Sequence, residues 1–289
     1  MKIATRDYLV RKGTQVRLAK WPTRVEPAYD TKKSYQKLLQ NHVERLSDLQ
    51  ELLYASNRHS LLLVFQGMDT SGKDGVIKHV MSGINPQGCQ VTSFKHPSAT
   101  ELEHDFLWRT AQALPERGNI GIFNRSHYEE VVVVRVHPEL LRAEGLPDAA
   151  LRNDDVWQAR YRSIIDFEGH LARGGTRIVK FFLHMSKDEQ RARLLARLDD
   201  PEKRWKFRAA DVDERKCWDD YMKAYGDAIG ATSVPHAPWY VIPADDKPNA
   251  RLIVSQIVAE ALESLDMRYP RLDDKLASEL KSIRSALSG

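Results

Sequence analysis

The stretch that decides the fold spans residues 61–74 and reads LLLVFQGMDTSGKD. Its aliphatic first part, Leu61–Phe65, predicts a strand with apolar neighbours on both faces, as in the centre of a parallel sheet. Residues 67–73 then fit the pattern GxxxxGK, and a helical stretch follows. This order favours a phosphate-binding loop (P-loop), because backbone N–H groups and the positive helix N-terminus face one concavity. The alternative is a glycine-rich turn that ends in a surface lysine.

The side chains of this loop suggest how an anion is held. The residues predicted to contact phosphate are Gly67, Thr70, Ser71, Gly72 and Lys73. A carboxylate inside a phosphate cradle, such as Asp69, repels the ligand unless a cation lies between them. Asp69 is therefore predicted to be a Mg²⁺ ligand or a general base, with a turn-capping aspartate as the alternative. Asp74 departs from the usual motif, which has Ser or Thr at this position to hold Mg²⁺.

A second motif lies at residues 120–130, IGIFNRSHYEE, where an apolar strand ends in polar side chains. Asn124 occupies the Walker B position of an aspartate, and its amide can coordinate a cation but cannot act as a base. Arg125 is predicted to bind phosphate, with a surface salt bridge as the alternative. Glu129 or Glu130 would supply the negative charge that Asn124 lacks, and Glu129 is a candidate metal ligand. His127 is a candidate nucleotide contact, with a packed or hydrogen-bonded histidine as the alternative.

The secondary structure after this motif stays open at the sequence level. Ser126 and Glu129 have the spacing of a capping box, which allows a helix to begin there. The run Val131–Val134 is β-branched throughout and favours a strand instead. Tertiary context must decide between the two.

A third motif is a basic segment inside an otherwise nearly neutral chain. Arg193 and Arg197 are four residues apart and share a helix face. The further cations of the segment are Lys203, Arg204, Lys206 and Arg208. Residues 199–213 are charged and interrupted by proline, so we predict a lid over about residues 191–213 whose cations face phosphate. The alternative is a solvated helix face.

The composition is that of an ordinary globular enzyme. The chain has 289 residues, of which 42% are hydrophobic and 29% charged, and its net charge is +4. Its two cysteines, Cys89 and Cys217, cannot build a disulfide framework, which favours the reducing cytoplasm. The apolar runs are far too short to cross a bilayer and the N-terminus lacks a signal-peptide pattern, so we expect no membrane association.

Strand and helix patterns alternate along the chain, which indicates an α/β fold with a mostly parallel sheet. The predicted strands are Leu61–Phe65, Gln90–Phe94, Ile120–Phe123, Arg177–Met185 and Trp239–Ile242. Residues 1–33 are polar, basic and broken by prolines, which predicts an arm around one domain at residues 34–269. Residues 270–289 are polar and are predicted to be a surface tail.

Three of these segments together resemble the polyphosphate kinase 2 family. They are GMDTSGKDG at residues 67–75, IFNRSHYEEVVVVRV at 122–136 and RLDDPEKRWKFRAAD at 197–211. Two further segments are similar to the family, KFFLHMSKDEQ at 180–190 and APWYVIPADDK at 237–247. The resemblance implies a thymidylate-kinase-like P-loop kinase: a three-layer α/β sandwich with a mostly parallel five-stranded sheet and a helical lid.

The same resemblance implies Mg²⁺-dependent phosphoryl transfer from inorganic polyphosphate to AMP or ADP, with Mn²⁺ able to replace Mg²⁺. The asparagine at position 124 is similar to the class III form, which phosphorylates both nucleotides. The catalytic residues implied are Asp69, Lys73, Asn124, Arg125, Arg193 and Arg197. Asp245, near the end of the last strand, joins His127 and Glu129 as a candidate nucleotide contact. We further expect a homo-oligomer, a dimer or tetramer, with no nucleic-acid partner.

Two other functions fit the same residues. An ATP-dependent nucleotide or nucleoside kinase shares the P-loop and the lid, and the phosphoryl donor alone separates it from the first interpretation. A non-catalytic polyanion-binding protein with a degenerate P-loop is compatible with Asp74 and Asn124, although the intact Lys73 and Asp69 argue against it. Binding without turnover in the presence of Mg²⁺ would identify this last function.

Overall fold

A computed structural model describes residues 3–151, 155–207, 210–271 and 274–288. Its strands are β1 (Ser60–Gln66), β2 (Cys89–Ser93), β3 (Ile120–Asn124), β4 (Thr176–His184) and β5 (Trp239–Pro243). They form one parallel sheet of five strands in the order β2-β3-β1-β4-β5. The predicted strands and the predicted parallel α/β architecture are therefore confirmed.

Helices connect the strands and cover both faces of the sheet. The α-helices are α1 (Lys32–Ser56), α2 (Lys73–Val80), α3 (Ala99–Leu102), α4 (Trp108–Ala111), α5 (Glu129–Val136), α6 (Pro138–Ala143), α7 (Asp148–Leu151), α8 (Val156–Arg173), α9 (Lys187–Asp199), α10 (Ala210–Glu214), α11 (Trp218–Thr232), α12 (Lys247–Glu263) and α13 (Asp274–Ser288). Short 3-10 helices span Thr5–Asp7, Leu18–Lys20, Pro86–Gly88, Arg204–Lys206 and Arg215–Cys217. Within the described ranges, no helix combines the length and the apolarity that a membrane span requires.

The central strand β1 places the P-loop in the middle of the molecule. Residues Leu61–Phe65 pair with β3 on one side and with β4 on the other. In this register Phe65 lies opposite Asn124, the last residue of β3. Because the carboxyl ends of parallel strands meet at one edge, the two phosphate-related motifs lie side by side there.

Two apolar cores lie on opposite faces of the sheet. Leu61, Leu63 and Phe65 point to the face covered by α1, α2 and α12. Leu62 and Val64 point to the face covered by α5, α8 and α11. The alternation follows from the two-residue period of a strand, and each such buried side chain contributes roughly 1.5–3 kcal/mol. The result is the predicted three-layer sandwich, whose rigid centre positions the P-loop.

The N-terminal segment packs on the sheet beside β5. The Val10 N–H donates to the Trp239 carbonyl oxygen at 2.9 Å. His184 Nε2 lies 3.0 Å from the Leu18 carbonyl oxygen, so the segment also crosses the carboxyl end of β4. The arm predicted at residues 1–33 thus borders the same edge of the sheet as the P-loop, and α13 spans most of the predicted tail.

The valine run Val131–Val134 is helical, although its β-branched side chains favoured a strand. It lies in α5, where three of the four valines are buried in the core. Glu129 and Glu130 in the first turn complement the positive helix N-terminus, and a helix satisfies its own backbone hydrogen bonds. The predicted capping box does not form, because Ser126 Oγ accepts from the Tyr128 N–H at 3.2 Å instead.

Candidate functional site

The P-loop connects the end of β1 to the start of α2 through two constrained glycines. Gly67 has φ 150° and Gly72 has φ 102°, which are backbone conformations that favour glycine. A Cβ atom at Gly67 would lie 2.9 Å from the Leu183 carbonyl oxygen. The two glycines therefore permit a turn that larger residues would block, and the N-terminus of α2 opens onto the loop.

Lys73 is the first residue of α2 and is buried against the loop. Its Nζ donates to the carbonyl oxygens of Gly67 at 2.7 Å and Met68 at 3.2 Å. Burial and the nearby charge of Arg125 lower the pKa of Lys73 to about 8, although carboxylates such as Asp69 act in the opposite direction. Phosphate oxygens bind an ammonium group more strongly than carbonyl oxygens do, so a bound phosphate would replace these two partners.

Two hydroxyl groups of the loop are buried without a hydrogen-bond partner among the described residues. They are Thr70 Oγ1 and Ser71 Oγ. Buried polar atoms are nearly always paired in folded proteins, so these two hydroxyls leave hydrogen-bonding capacity unused in the free loop. Thr70 also has φ 66°, a left-handed conformation that costs a non-glycine residue about 1–2 kcal/mol and that concentrates at functional sites.

Arg125 joins the second motif to the P-loop. Its Nη2 lies 2.8 Å from Asp69 Oδ1, and its Nη1 lies 3.4 Å from Glu129 Oε2. Arg125 has φ 63°, and its backbone N–H donates to the Phe65 carbonyl oxygen at 3.1 Å, which fixes the turn after β3. The Arg125 side chain is 43% exposed, so an incoming anion can reach its guanidinium group.

Asn124 and Asp74 are hydrogen-bonded partners. Asn124 Nδ2 donates to Asp74 Oδ1 at 2.7 Å. An aspartate at position 124 would place two carboxylates in contact, and their repulsion would oppose this arrangement. The two departures from the usual motif therefore fit each other, and the Asn124 Oδ1 atom remains a possible cation ligand.

Arg193 lies beneath the P-loop, which differs from its predicted place above a ligand. Its side chain is only 7% exposed. Nη1 donates to the carbonyl oxygens of Thr70 and Ser71, both at 3.1 Å, and Nη2 donates to that of Ala244 at 2.6 Å. Because the guanidinium group donates its hydrogen bonds to backbone oxygens, Arg193 anchors the loop to the end of β5 instead of closing over a phosphate.

The predicted lid is helical, with α9, the 3-10 helix Arg204–Lys206 and α10 in its described part. Arg197 extends from α9, and its Nη1 lies 3.6 Å from Asp211 Oδ2 in α10. The pair links the two helices of the lid. The predicted contact of Arg197 with phosphate stays a prediction.

The remaining lid cations make local contacts where their side chains are described. Lys203 pairs with Asp200. Arg204 Nε donates to a carbonyl oxygen of α9 at 2.7 Å. Lys206 belongs to the short 3-10 helix, and Arg208 lies outside the described residues. The predicted phosphate contacts of all four cations remain to be tested.

Of the candidate nucleotide contacts, His127 is packed inside the fold and Asp245 holds a backbone N–H group. His127 is 1% exposed, its Nε2 lies 3.5 Å from Glu168 Oε1, and burial lowers its pKa. The packed-histidine alternative is therefore the one that the structure favours. Asp245 Oδ1 accepts from the Ser186 N–H at 2.8 Å, so this carboxylate fixes the entry to α9. Glu129 alone of the three candidates contacts the site, through Arg125.

Sequence reasoning missed Gln190, which reaches the P-loop from α9. Its Nε2 donates to the Asp69 carbonyl oxygen at 3.1 Å, and the side chain is buried. Gln190 stands three residues before Arg193, so the two side chains share one helix face. That spacing is visible in the sequence, but a neutral glutamine gives no charge signal that would single it out.

The oxygen donors around the loop suit a divalent cation that arrives with phosphate. No group of three or more Asp, Glu, His or Cys side chains in the described ranges forms a ready-made metal site. Mg²⁺ does not require one, because it keeps several waters and takes one or two carboxylates together with substrate phosphates. Asp69, inside the loop, and Asn124 and Glu129 beside it supply oxygen ligands of this kind, so the residues present fit the ion.

Comparison with known families agrees with this site. The family described as Polyphosphate kinase 2 (PPK2) matches residues 29–270, which is most of the chain. The chain belongs to the polyphosphate kinase 2 family. The matched region of this polyphosphate kinase 2 contains the P-loop, the motif after β3 and the lid, and so confirms the resemblance that the sequence motifs indicated.

Individual relatives extend the similarity along the chain. The ADP-polyphosphate phosphotransferase of Rhodopseudomonas palustris is 62% identical over 287 residues, 99% of each chain. The AMP/ADP-polyphosphate phosphotransferase of Meiothermus ruber is 52% identical over 227 residues, covering 78% of this chain and 80% of its own. The crystal structure of Polyphosphate Kinase 2 from Arthrobacter aurescens superimposes with a TM-score of 0.87 at 40% identity, over 98% of this chain and 97% of that one.

Proposed function

We propose that this polyphosphate kinase 2 transfers the terminal phosphoryl group of inorganic polyphosphate to ADP and AMP, giving ATP and ADP. The proposal rests mainly on the Lys73 ammonium group at the start of α2, which lies against the loop carbonyl oxygens, and on the exposed Arg125 guanidinium group of the neighbouring motif. An ammonium group, a guanidinium group and a helix N-terminus together are complementary to phosphate oxygens.

The names of the relatives and the charge of the lid support polyphosphate as the donor. The relatives at 62% and 52% identity are both named as polyphosphate phosphotransferases. A polyphosphate chain carries about one negative charge per internal phosphate and binds cationic surfaces by releasing counterions. The lid offers such a surface in Arg197, Lys203 and Arg204, which can exchange their local partners for phosphate oxygens.

The transfer requires charge neutralisation more than proton removal. An oxygen of the acceptor's terminal phosphate attacks the terminal phosphorus of polyphosphate. The bond from that phosphorus to the bridging oxygen breaks, and polyphosphate shortened by one unit leaves. Lys73 and Arg125 neutralise the charge on the transferred group, while Arg193 holds the loop from below. A phosphate acceptor is already ionised, so no general base is needed.

A divalent cation completes the proposed site. We propose Mg²⁺, with Mn²⁺ as a substitute, held by Asp69 and Glu129 with Asn124 as a further oxygen donor. When bound, the ion neutralises phosphate charge and aligns donor and acceptor. Arg125 contacts the carboxylates of both Asp69 and Glu129 and so holds the two close together.

ADP and AMP are both proposed as acceptors. ADP appears in the names of the Rhodopseudomonas and Meiothermus relatives, and AMP appears in the second. The Asn124 form of the motif supports AMP as well, through its similarity to the dual-acceptor class. The cytoplasm is the proposed setting, since the thiols of Cys89 and Cys217 are free.

A homo-oligomer, a dimer or tetramer, is part of the same proposal. Three apolar residues spaced three or four apart form a stripe on α13: Leu280, Ile283 and Leu287. Leu287 is 83% exposed and Ile283 is 52% exposed. Burial of such a stripe against another copy of the chain would remove apolar surface from water.

The donor is tested by omitting ATP. Purified enzyme with ADP, long-chain polyphosphate and Mg²⁺ is expected to form ATP, measured by chromatography. Lys73→Ala and Asp69→Asn should each lower kcat by about 10²–10³-fold, the usual cost of one lost charge-stabilising group. Lys78→Ala, an exposed lysine on the same helix, is the matched control and should retain activity.

Two results would reject the proposal. Phosphorylation of nucleotides from ATP but not from polyphosphate would identify the ATP-dependent kinase. Retention of polyphosphate on a filter without turnover under Mg²⁺ would identify the non-catalytic polyanion-binding protein. Wild-type kcat in either site variant would remove Lys73 or Asp69 from the chemistry.

A further inference from the structure

Five consecutive carbonyl oxygens of the P-loop, those of residues 67–71, accept hydrogen bonds from three side chains. Lys73 binds the first two, at 2.7 and 3.2 Å. Gln190 binds the third, that of Asp69, at 3.1 Å. Arg193 binds the last two, both at 3.1 Å. These contacts turn the carbonyl oxygens toward protein donors, which leaves the opposite side of the loop for an anion.

Gln190 differs from the other two side chains because it also contacts the far end of the lid. Its Oε1 accepts from Arg215 Nη1 at 2.7 Å. The same Nη1 donates to the Lys187 carbonyl oxygen at 2.9 Å. Gln190 lies near the start of α9, before the lid, and Arg215 begins the 3-10 helix that follows it. One buried amide therefore joins the P-loop to both ends of the lid.

The chemistry of an amide suits this position. An amide donates with its nitrogen and accepts with its oxygen, whereas lysine and arginine only donate. In the proposed reaction Lys73 leaves the loop carbonyls for phosphate. Gln190 and Arg193 then hold the loop alone, and Gln190 is the one bonded to the Asp69 peptide. Loss of that bond leaves a partly buried acceptor unpaired and the peptide free to rotate.

We propose that Gln190 is a positioning residue for phosphoryl transfer. It fixes the Asp69 peptide in the P-loop and, through Arg215, couples that peptide to the closing end of the lid. The expected change in kcat rests on the proposed function, whereas the effect of Gln190 on the P-loop does not. A change at Gln190 should therefore alter kcat and the cation requirement, both of which depend on Asp69, more than the KM for ADP.

Four variants separate this role from general stability. Gln190→Ala removes both hydrogen bonds, and Gln190→Glu keeps an acceptor for Arg215 but loses the donor to Asp69. Arg215→Met removes the lid contact alone. Gln50→Ala is the matched control, because Gln50 is a buried glutamine on α1, outside the site.

The kinetic test compares kcat with KM. We expect kcat to fall about tenfold in both Gln190 variants, with the KM for ADP changed less than about twofold. The Mg²⁺ concentration for half-maximal rate should rise in the same two variants. The kcat of Arg215→Met should fall less, about threefold, and Gln50→Ala should keep the wild-type kcat. Wild-type kcat in Gln190→Glu, or an equal loss in Gln50→Ala, would overturn the proposal.

Hydrogen exchange gives a readout that does not depend on turnover. In the nucleotide-free enzyme, peptides covering residues 66–76 should exchange faster in both Gln190 variants than in wild type or Gln50→Ala. Peptides covering residues 214–217 should exchange faster in Gln190→Ala and Arg215→Met. Unchanged exchange of the P-loop peptides would refute the positioning role even if polyphosphate proves to be the donor. If the wild-type enzyme showed no polyphosphate-dependent turnover, the proposed function would be refuted. The hydrogen-exchange comparison would still decide whether Gln190 positions the P-loop.

Discussion

Lys73 is a buried lysine whose charge depends on pH near neutrality. Burial, aided by Arg125, lowers its pKa from 10.5 to about 8. In the free enzyme the ammonium form is therefore present below a pH of about 8 and is lost above it. Because the proposed chemistry needs the charged form, the activity of the free enzyme toward an anionic donor should follow this ionisation.

We expect kcat/KM for polyphosphate to fall as the pH rises above about 8, since kcat/KM reports ionisations of the free enzyme. At saturating polyphosphate, kcat should fall only at higher pH, because bound phosphate favours the charged ammonium group. Rate profiles at limiting and saturating donor measure both, with Lys78→Ala as the control. A basic limb of kcat/KM near the ordinary lysine value of 10.5 would contradict the assignment.

The sequence identified the residues of the cradle but not the partners of every side chain. Gly67, Gly72 and Lys73 were predictable because the loop needs those residue types at fixed spacing. Arg193 was predicted to close over phosphate and contacts backbone carbonyls in the structure, because packing that spacing does not encode decides which partner a basic helix residue meets. Gln190 was missed for the same reason, because a neutral side chain reveals its partners only in the fold.

Strands and helices were predictable where the burial of a segment and the secondary-structure preference of its residues agree. β1 is an aliphatic strand buried on both faces, and both properties favour the same structure. In Val131–Val134 they differ, because β-branched residues favour strands while the run forms helix α5 with three of its valines buried. The hydrophobic contacts of α5 decided that case, and they involve elements far away in sequence.

A buried ion pair joins helix α8 to strand β4. Lys180 Nζ lies 2.5 Å from Glu168 Oε2, and both side chains are almost fully buried. Lys180 Nζ also donates to the Tyr128 hydroxyl at 2.8 Å, just before α5. The pair therefore connects three elements behind the second motif. Removal of one partner would leave the other charge uncompensated in the core.

We expect Glu168→Gln to lower the free energy of unfolding by about 3–5 kcal/mol, the usual cost of an uncompensated buried charge. Glu263→Gln, which breaks the exposed pair with Arg45, is the matched comparison and should cost less than about 1 kcal/mol. Urea denaturation of the three proteins gives the values. Equal losses in the two variants would show that the buried pair does not stabilise the fold as described.

At the scale of the whole molecule, sheet topology assembles the site from distant segments. The order β2-β3-β1-β4-β5 puts the ends of β1 and β3 side by side, and α9 leaves the neighbouring β4. Alternating strands and helices predicted a parallel sheet, in which the carboxyl ends of the strands meet at one edge. The strand order was not predicted, because pairing depends on contacts that no local pattern records.

We expect polyphosphate to drive nucleotide phosphorylation at this P-loop. The most direct measurement incubates purified enzyme with AMP, long-chain polyphosphate and Mg²⁺, without ATP, and follows nucleotides by chromatography over time. We expect ADP to form first and ATP to follow. Phosphorylation of neither AMP nor ADP from polyphosphate, together with activity when ATP is the donor, would contradict polyphosphate as the donor. The enzyme would then be an ATP-dependent kinase.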